Sequence, residues 1–314
     1  MATVAQGYLP SLIASTGDCW NRFWFTPVDQ KPLDRLRIAA GCISLYLLAT
    51  LIPDLNTYFG PDGLLPVEAV NQLEGELRSW SYLDYFSASS ELLTVHILGM
   101  VVVALFTLGL FTPVTSVLSL VVMLSTAHRA PMITTLVEPV VTMVLFYLCL
   151  GPAGPIAGTV RLFTQQPKTR VSSWSAVALR LLQIHIALLY LTMGLSKLMS
   201  VCWWNGEGTW WLMARPESRL LNIAGLAEWS VGNTPVGVYA VNLWTHAIIA
   251  FEIAFAVLIW NRTLRPLFLV WSIVHWIGIG ILLGQPLLAV TMIALNAAYL
   301  DCPFVVCSQE KAPA

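Results

Sequence analysis

The stretch that decides the fold is Gln183–Trp211, with the sequence QIHIALLYLTMGLSKLMSVCWWNGEGTWW. It opens as an apolar run, which is typical of a membrane-spanning helix. The run ends beside a lysine, Lys197, and four tryptophans follow between positions 203 and 211. The sequence therefore places a cation where a long apolar helix meets an aromatic, glycine-rich segment, and the predicted function depends on how this junction is interpreted.

The composition of the whole chain predicts a helical membrane protein. Of the 314 residues, 57% are hydrophobic and only 11% are charged, with a mean hydropathy of +0.73. A soluble domain carries about 25% charged residues, because its surface must be covered by polar groups. Long apolar runs recur along the chain, so the predicted fold class is an all-α, polytopic transmembrane bundle. The net charge of −1 gives no indication of a nucleic-acid partner.

The apolar runs predict about eight spans within a single membrane domain that covers residues 1–314. The predicted spans are residues 33–52, 91–111, 114–127, 132–150, 174–199, 239–260, 264–283 and 287–300. An aromatic, amphipathic segment (1–32) precedes them, and a short polar tail (301–314) follows. Two long polar segments, 53–90 and 200–238, interrupt the series.

The distribution of lysine and arginine predicts the orientation of the bundle. Ten of them fall in the N-terminal segment, the connections after the fourth and sixth spans, and the tail, whereas the longer connections on the other side carry fewer. The positive-inside rule then places both termini in the cytoplasm and both long polar segments on the outer face of the membrane, for which we expect a bacterial inner membrane. Because the six cysteines are scattered along the chain, no disulfide framework is expected.

Two interpretations of Lys197 are open. A lysine that is shielded from water favours its neutral form and is then able to act as a base. Alternatively, the side chain extends to the outer interface and keeps its ammonium group in water. Helical spacing places Gly194 and Tyr190 on the same face, and Gly194 would let a neighbouring helix approach closely. Trp203 and Trp204 are either part of a lid near Lys197 or part of an interfacial aromatic belt.

Other ionisable residues lie within apolar helices, where such groups usually have partners inside the bundle. Glu252 is the acid deepest in an apolar run, and it is expected either to bond a neighbouring helix or to contact substrate or relay protons. His246 is six residues from Glu252, so the two do not share a helix face and are not a metal-binding pair; no metal is predicted. The single histidines His96 and His185 are expected to be satisfied core groups.

Three stretches, in a consistent order, resemble a known family. They are Phe23–Asp29 with Leu36–Gly41, Leu145–Pro152, and Gly194–Leu198 followed by Trp203 and Gly206. Together they resemble the HTTM (horizontally transferred transmembrane) domain family, whose best-known member is the vitamin K-dependent gamma-glutamyl carboxylase. His246, Glu252 and His275 fall where the family carries histidine and glutamate.

The resemblance implies roles for individual residues. Lys197 matches the lysine that is taken, in the carboxylase, as the base that deprotonates reduced vitamin K; oxygen then forms an epoxide, and the strong base so formed drives glutamate carboxylation. His128 lies near the place of a functional histidine, so the implied catalytic residues are Lys197 and His128, and the implied cofactor is a reduced quinone. The candidate substrate-binding residues are Tyr190, Trp203, Trp204, Arg129, His246, Glu252 and His275.

The carboxylase also has a lumenal half that binds propeptide and substrate, whereas this chain ends after its membrane bundle. Short bacterial members, such as those similar to sporulation-delaying protein B, are encoded with secreted toxin peptides. We therefore expect an enzyme that uses a lipid-soluble quinol or modifies a secreted peptide, with its site on the extracytoplasmic face. The alternative is a non-catalytic membrane partner in peptide processing or export. A small-molecule transporter ranks last, because it predicts internal repeats and none is evident.

Overall fold

The structure, a computed structural model, describes residues 16–75, 78–151, 171–214, 225 and 235–300. These residues are mostly helical and contain few strand residues, which confirms the predicted all-α class. The predicted tail, the first part of the N-terminal segment and most of the second half of the 200–238 segment lie outside the described residues.

The eight predicted spans all correspond to helices. The α-helices are α1 (16–25), α2 (Lys31–Leu51), α3 (Leu55–Phe59), α4 (Val67–Glu74), α5 (Ser89–Leu108), α6 (Thr112–Arg129), α7 (Val137–Leu150), α8 (Ser173–Leu198), α9 (Val201–Trp204), α10 (Gly208–Ala214), α11 (Pro235–Leu258), α12 (Arg265–Leu283) and α13 (Pro286–Leu295). Short 3-10 helices cover Tyr82–Tyr85, Pro131–Ile133 and Asn296–Tyr299. The predicted spans coincide, in order, with α2, α5, α6, α7, α8, α11, α12 and α13.

Four helices in the described part of the chain are long and apolar enough to cross a membrane. They are α5, α8, α12 and the Val236–Leu258 part of α11. Two further apolar helices, Val137–Leu150 and Pro286–Tyr299, are shorter. These helices are compatible with an integral membrane protein. Since length and hydropathy support four spans, the count of eight and the cytoplasmic position of both termini stay predictions.

Proline and glycine set the ends of several helices. Pro113, Pro266 and Pro286 lie in the first positions of α6, α12 and α13, where a missing N–H has no partner to lose. Gly109 and Gly284 follow α5 and α12 with φ of 79° and 66°, a left-handed conformation that glycine adopts without strain. These signals explain why the predicted and observed bounds of these helices differ by only a few residues.

The start of α7 differs from the prediction. The helix was expected from residue 132, but it begins at Val137 after the 3-10 turn Pro131–Ile133. Glu138 Oε2 accepts a hydrogen bond from the backbone N–H of Thr135 at 2.8 Å, and Thr135 Oγ1 accepts one from Val137 N–H at 3.1 Å. This reciprocal capping satisfies backbone donors at the new start and shortens α7.

The long helix α8 joins the two halves of the bundle. It packs antiparallel to α11, with the Tyr190 and Phe255 rings stacked at 3.9 Å between centroids and Gly194 lying against Ile253. On its other sides it contacts α7 and α2. The apolar core continues from α2 through α8 to α13, so α8 is buried along much of its length.

The N-terminal aromatic segment is divided between the bundle and its surface. Trp20 and Phe25 of α1 are exposed, as expected for an amphipathic approach to a membrane. Phe23 packs inward, with its ring 6.1 Å from that of Trp260 and the guanidinium of Arg180 above it at 5.0 Å. The helix is therefore docked on the bundle by one aromatic face.

Two features of the segment that precedes α2 differ from the sequence predictions. Strands β1 (Val28–Asp29) and β2 (Val171–Ser172) pair antiparallel and tie the entry of α2 to the start of α8. Cys19 in α1 is disulfide-bonded, so the expectation of no disulfide is wrong at this position.

Candidate functional site

Three ionisable side chains from three apolar helices meet in the bundle. Lys197 Nζ donates to both carboxylate oxygens of Glu252, at 2.8 and 2.7 Å. His275 Nε2 lies 3.6 Å from Glu252 Oε1. The Glu252 and His275 side chains are only 2% and 3% exposed, whereas that of Lys197 is 18% exposed. We call these three residues the Lys197 cluster; its carboxylate is shielded from solvent and its ammonium is partly open.

The close packing of α8 on α11 positions the pair. A Cβ atom added to Gly194 would lie 2.7 Å from Ile253 Cγ1 and 3.3 Å from Glu252 Cβ, so only glycine permits this approach. The prediction that Gly194 allows a neighbouring helix to come close is confirmed. The Lys197 side chain then folds back along its own helix, with Nζ also 3.5 Å from the carbonyl of Met193, and does not extend away from the bundle.

One ring nitrogen of His275, Nε2, makes no hydrogen bond within the Lys197 cluster. The 3.6 Å separation from Glu252 is too long for a hydrogen bond. Its Nε2 atom has no hydrogen-bond partner among the described residues, although it is buried. A buried nitrogen without a partner costs free energy, so this position is suited to a group supplied from outside the chain.

An apolar groove leads to His275 between α11 and α12. Its volume is about 540 Å³, and its wall includes Leu243, Trp244, Val274 and Gly278 together with His275. Leu243 and Val274 are exposed on the outer surface of two candidate spans. The groove is therefore open toward the lipid side, and its one ionisable lining residue belongs to the Lys197 cluster.

The two tryptophans that follow α8 have different positions. The Trp203 ring covers Lys197, with 5.2 Å between Nζ and the ring centroid, which is a cation–π arrangement. Trp204 is exposed, and its Nε1 donates to the carbonyl of Leu198. Trp203 thus resembles the predicted lid, while the exposure of Trp204 is what an aromatic belt requires.

The segment that contains Trp203 is held against the N-terminal half of α11. Thr245 Oγ1 bonds with the carbonyl of Gly206 at 3.0 Å and with Thr209 Oγ1 at 2.9 Å. Gly206 has a φ of +77°, and a Cβ there would collide with Asn242. The aromatic segment therefore has a defined conformation, which places the Trp203 ring over Lys197 beyond the end of α8.

Tyr190 belongs to a buried hydrogen-bond chain next to the Lys197 cluster. Trp276 Nε1 donates to Tyr190 Oη at 2.6 Å, Tyr190 Oη bonds with Ser272 Oγ at 2.8 Å, and Ser272 Oγ donates to Asn296 Oδ1 at 3.2 Å. The Tyr190 hydroxyl is thus used as donor and acceptor inside the protein. Its observed role is to join α8, α12 and the last 3-10 helix.

The predicted residues His128 and Arg129 form a second polar centre. Arg129, 1% exposed, lies 3.4 Å through Nε from Asp84 Oδ1 and 4.9 Å above the Phe59 ring. Arg78 holds the same carboxylate at 2.7 and 2.8 Å and donates to the carbonyl of His128 at 2.8 Å. The first long polar segment is therefore fastened to the end of α6. Among the described residues, no hydrogen bond or ion pair joins this centre to the Lys197 cluster.

The remaining histidines divide between the core and the surface. His96 is buried and its Nε2 bonds with the carbonyl of Leu48 at 2.8 Å, which confirms the expected core role. His246 is exposed and bonds with the backbone carbonyl of Asn242, so the structure does not bring it to the Lys197 cluster. The expectation for His185 is wrong, because this side chain is exposed on the side of the bundle, where it bonds with Tyr147.

The pairing of Lys197 with Glu252 was not predicted from the sequence. Both residues were candidates, but they are 55 positions apart and on helices whose register is set only by packing. The available signal was the combination of one cation and one acid in two apolar helices, since each needs an internal partner. Gly194, one turn before Lys197, marks the face on which that partner had to lie.

No family model, curated protein or solved structure matches this chain. The resemblance to the HTTM family thus stays a prediction.

Proposed function

We propose that the protein is a membrane enzyme in which Lys197 takes a proton from the hydroxyl group of a lipid-soluble quinol. The observation that carries the proposal is the Lys197–Glu252 pair, which is held at 2.7–2.8 Å inside the bundle next to His275, a lining residue of an open apolar groove. Strongly interacting ionisable groups in an apolar cleft are characteristic of sites that move protons. The family resemblance implies the same role for Lys197.

The proton balance of the pair explains how it would work. Lys197 and Glu252 share one proton, at rest as ammonium beside carboxylate and, after transfer of that proton, as amine beside carboxylic acid, and both arrangements are neutral overall. In the second arrangement the lone pair of Lys197 Nζ accepts the proton of the substrate hydroxyl. The pair then holds an ammonium and a carboxylic acid and carries a charge of +1, which balances the negative charge left on the substrate oxygen. The ring face of Trp203 stabilises that ammonium.

The groove favours a substrate that arrives through the bilayer. Its volume of about 540 Å³ falls in the range of small-molecule sites, which are mainly apolar with a few polar groups. His275 Nε2, buried without a hydrogen-bond partner among the described residues, fits a hydroxyl or carbonyl oxygen at the inner end. A reduced quinone supplies an acidic hydroxyl there and two electrons for reaction with oxygen. Glu252 positions Lys197 through its two short hydrogen bonds.

The experiment is turnover of a reduced short-chain naphthoquinol by the full chain in lipid nanodiscs under air, with the quinone epoxide measured by mass spectrometry. Non-enzymatic oxidation yields the parent quinone, so the epoxide reports the protein. We expect epoxide from the wild type, and a loss of about 100-fold or more in Lys197→Met, the usual contribution of a general base. Lipid extracts of the purified protein are expected to contain bound quinone.

Lys197→Arg is the matched control. Its guanidinium is able to pair with Glu252 but stays charged and offers no lone pair. Retained folding with lost turnover is expected. If Lys197→Met forms as much epoxide as the wild type, Lys197 is not the base. If no quinone co-purifies and neither protein forms more epoxide than empty nanodiscs, the whole proposal is wrong. The Lys197–Glu252 pair is then a clamp between α8 and α11, as expected for the non-catalytic membrane partner.

A further inference from the structure

A second polar site lies on the lipid-facing side of α8, away from the Lys197 cluster. Tyr147 of α7 and His185 of α8 face each other with a hydrogen bond of 2.9 Å between Tyr147 Oη and His185 Nδ1. Their rings are perpendicular, with centroids 5.7 Å apart. The pair lines a groove of about 310 Å³, and the rest of its wall is formed by Leu181, Ile184, Leu188, Leu189 and Thr192.

The pair always offers one hydrogen-bond donor to the groove. A neutral imidazole has one N–H and the phenol has one O–H, and their mutual bond uses only one of these two donors. Among the described residues, neither side chain makes another hydrogen bond. His185 is exposed, so the spare donor is directed to whatever surrounds the bundle.

The depth of His185 decides which acceptors are able to reach it. It lies 12 residues after Ser173 and 13 before Leu198, which are the ends of a candidate span. At 1.5 Å per residue it is roughly 18–20 Å from either end, whereas half the hydrocarbon thickness is about 15 Å. The carbonyl groups of phospholipids lie outside this region, and an imidazole is too short to extend to them. An acceptor in the bilayer core must therefore be brought by a molecule that is itself soluble in the core.

The wall of the groove favours a small molecule over a partner helix. Helices that associate in a membrane usually present small residues, which let the two backbones approach. Ala178, Ala187 and Gly194 of α8 are buried inside this chain. Apart from Thr192, the aliphatic wall of the groove consists of leucine and isoleucine side chains. A mainly apolar concavity with one polar group is the usual form of a small-molecule site.

We propose that Tyr147 and His185 bind the carbonyl oxygen of a lipid-soluble ketone or quinone in the groove between α7 and α8. This site is independent of the proposed chemistry at Lys197, because Tyr190 and Gly194 turn the Lys197 face of α8 toward α11. The hydrogen bond is made in the bilayer core, where water does not compete for the donor.

The test is photocrosslinking of the full chain in nanodiscs with 4-hexylbenzophenone, which is a ketone and inserts into nearby C–H bonds. Peptide mapping is expected to place the adduct on the α7 and α8 residues that line the groove. The double variant Tyr147→Phe/His185→Phe, which removes both donors, is expected to lower apparent affinity about tenfold. Either single variant keeps one donor and is expected to lose less. Lys197→Met is expected to leave this adduct unchanged, which separates the outcome from that of the enzymatic proposal.

Unlabelled 4-hexyldiphenylmethane has a similar shape but no carbonyl, and it is expected to compete poorly. Equal competition by this hydrocarbon, or an undiminished adduct in the double variant, would contradict the proposal. An adduct that appears between two chains, together with a dimer that the double variant dissociates, would show that a second copy of the chain occupies the groove instead.

Discussion

Replacing Lys197 by methionine tests the energetic role of the buried pair. The substitution keeps an unbranched apolar stem but leaves the Glu252 carboxylate, 2% exposed, without its cation. Breaking a buried ion pair from one side costs about 3–5 kcal/mol, because a charge is left unpaired. Since Lys197 is 18% exposed and His275 is near the carboxylate, we expect the lower end, about 3 kcal/mol.

The reverse substitution, Glu252→Gln, is expected to cost less. The ammonium of Lys197 is partly open to solvent and keeps the Trp203 ring and the carbonyl of Met193 as neighbours. We expect about 1.5–2 kcal/mol, the low end of the range for a hydrogen bond to a charged group. The double variant is expected to be more stable than the sum of both losses by about 2 kcal/mol, as usual for residues in direct contact.

The assay is reversible unfolding in mixed detergent micelles, with circular dichroism of the four proteins that form the double-mutant cycle. Losses under about 1 kcal/mol for Lys197→Met, or strictly additive effects, would refute the reasoning. In that case Lys197 does not stabilise Glu252 in solution, and the 2.7 Å contact has no energetic role.

Three further predictions concern packing, hydrogen bonding and orientation. Gly194→Ala forces a Cβ to within 2.7 Å of Ile253 and is expected to cost about 1–3 kcal/mol in the same unfolding assay; an unchanged midpoint would contradict the close approach. Tyr190→Phe leaves the buried Trp276 N–H without an acceptor and is expected to cost about 1–3 kcal/mol, whereas a neutral effect would mean that the hydrogen-bond chain is not formed. Burial raises the pKa of the free thiol of Cys202, so less thiolate is present at neutral pH and labelling of intact cells with an impermeant maleimide should accelerate as pH rises above 7. Labelling that Cys202→Ser abolishes would place the Lys197 end of the bundle outside the cell, and its absence in intact cells but not in lysed cells would place it inside.

The positions of the helices were largely predictable from the sequence. Apolar runs and the proline and glycine residues at their ends are local signals, and they placed α8 and α12 to within one residue. The start of α7 was missed because it depends on the side-chain contacts between Thr135 and Glu138 and not on hydropathy. The short β1–β2 pair was also missed, since two-residue strands carry no periodicity.

The candidate site was predictable as a set of residues but not as an arrangement. Lys197, Glu252 and His275 stood out because ionisable groups are costly in apolar helices. Which of them would meet depended on the register of α8, α11 and α12, and this register is set by the packing of Gly194 and Tyr190. His185 was misjudged for the same reason, because an apolar helix without a strong polar face does not reveal which side is turned to the lipid.

The central claim is tested most directly by measuring whether Glu252 gains a proton when the quinol substrate is added. Infrared difference spectroscopy, with reduced naphthoquinol added to the protein in nanodiscs, is able to detect the protonation of a single buried carboxylate. If Lys197 and Glu252 take the substrate proton together, a carboxylic acid signal appears in the wild type and is absent from Glu252→Gln. No change in the wild type, or the same signal in both proteins, would contradict the account.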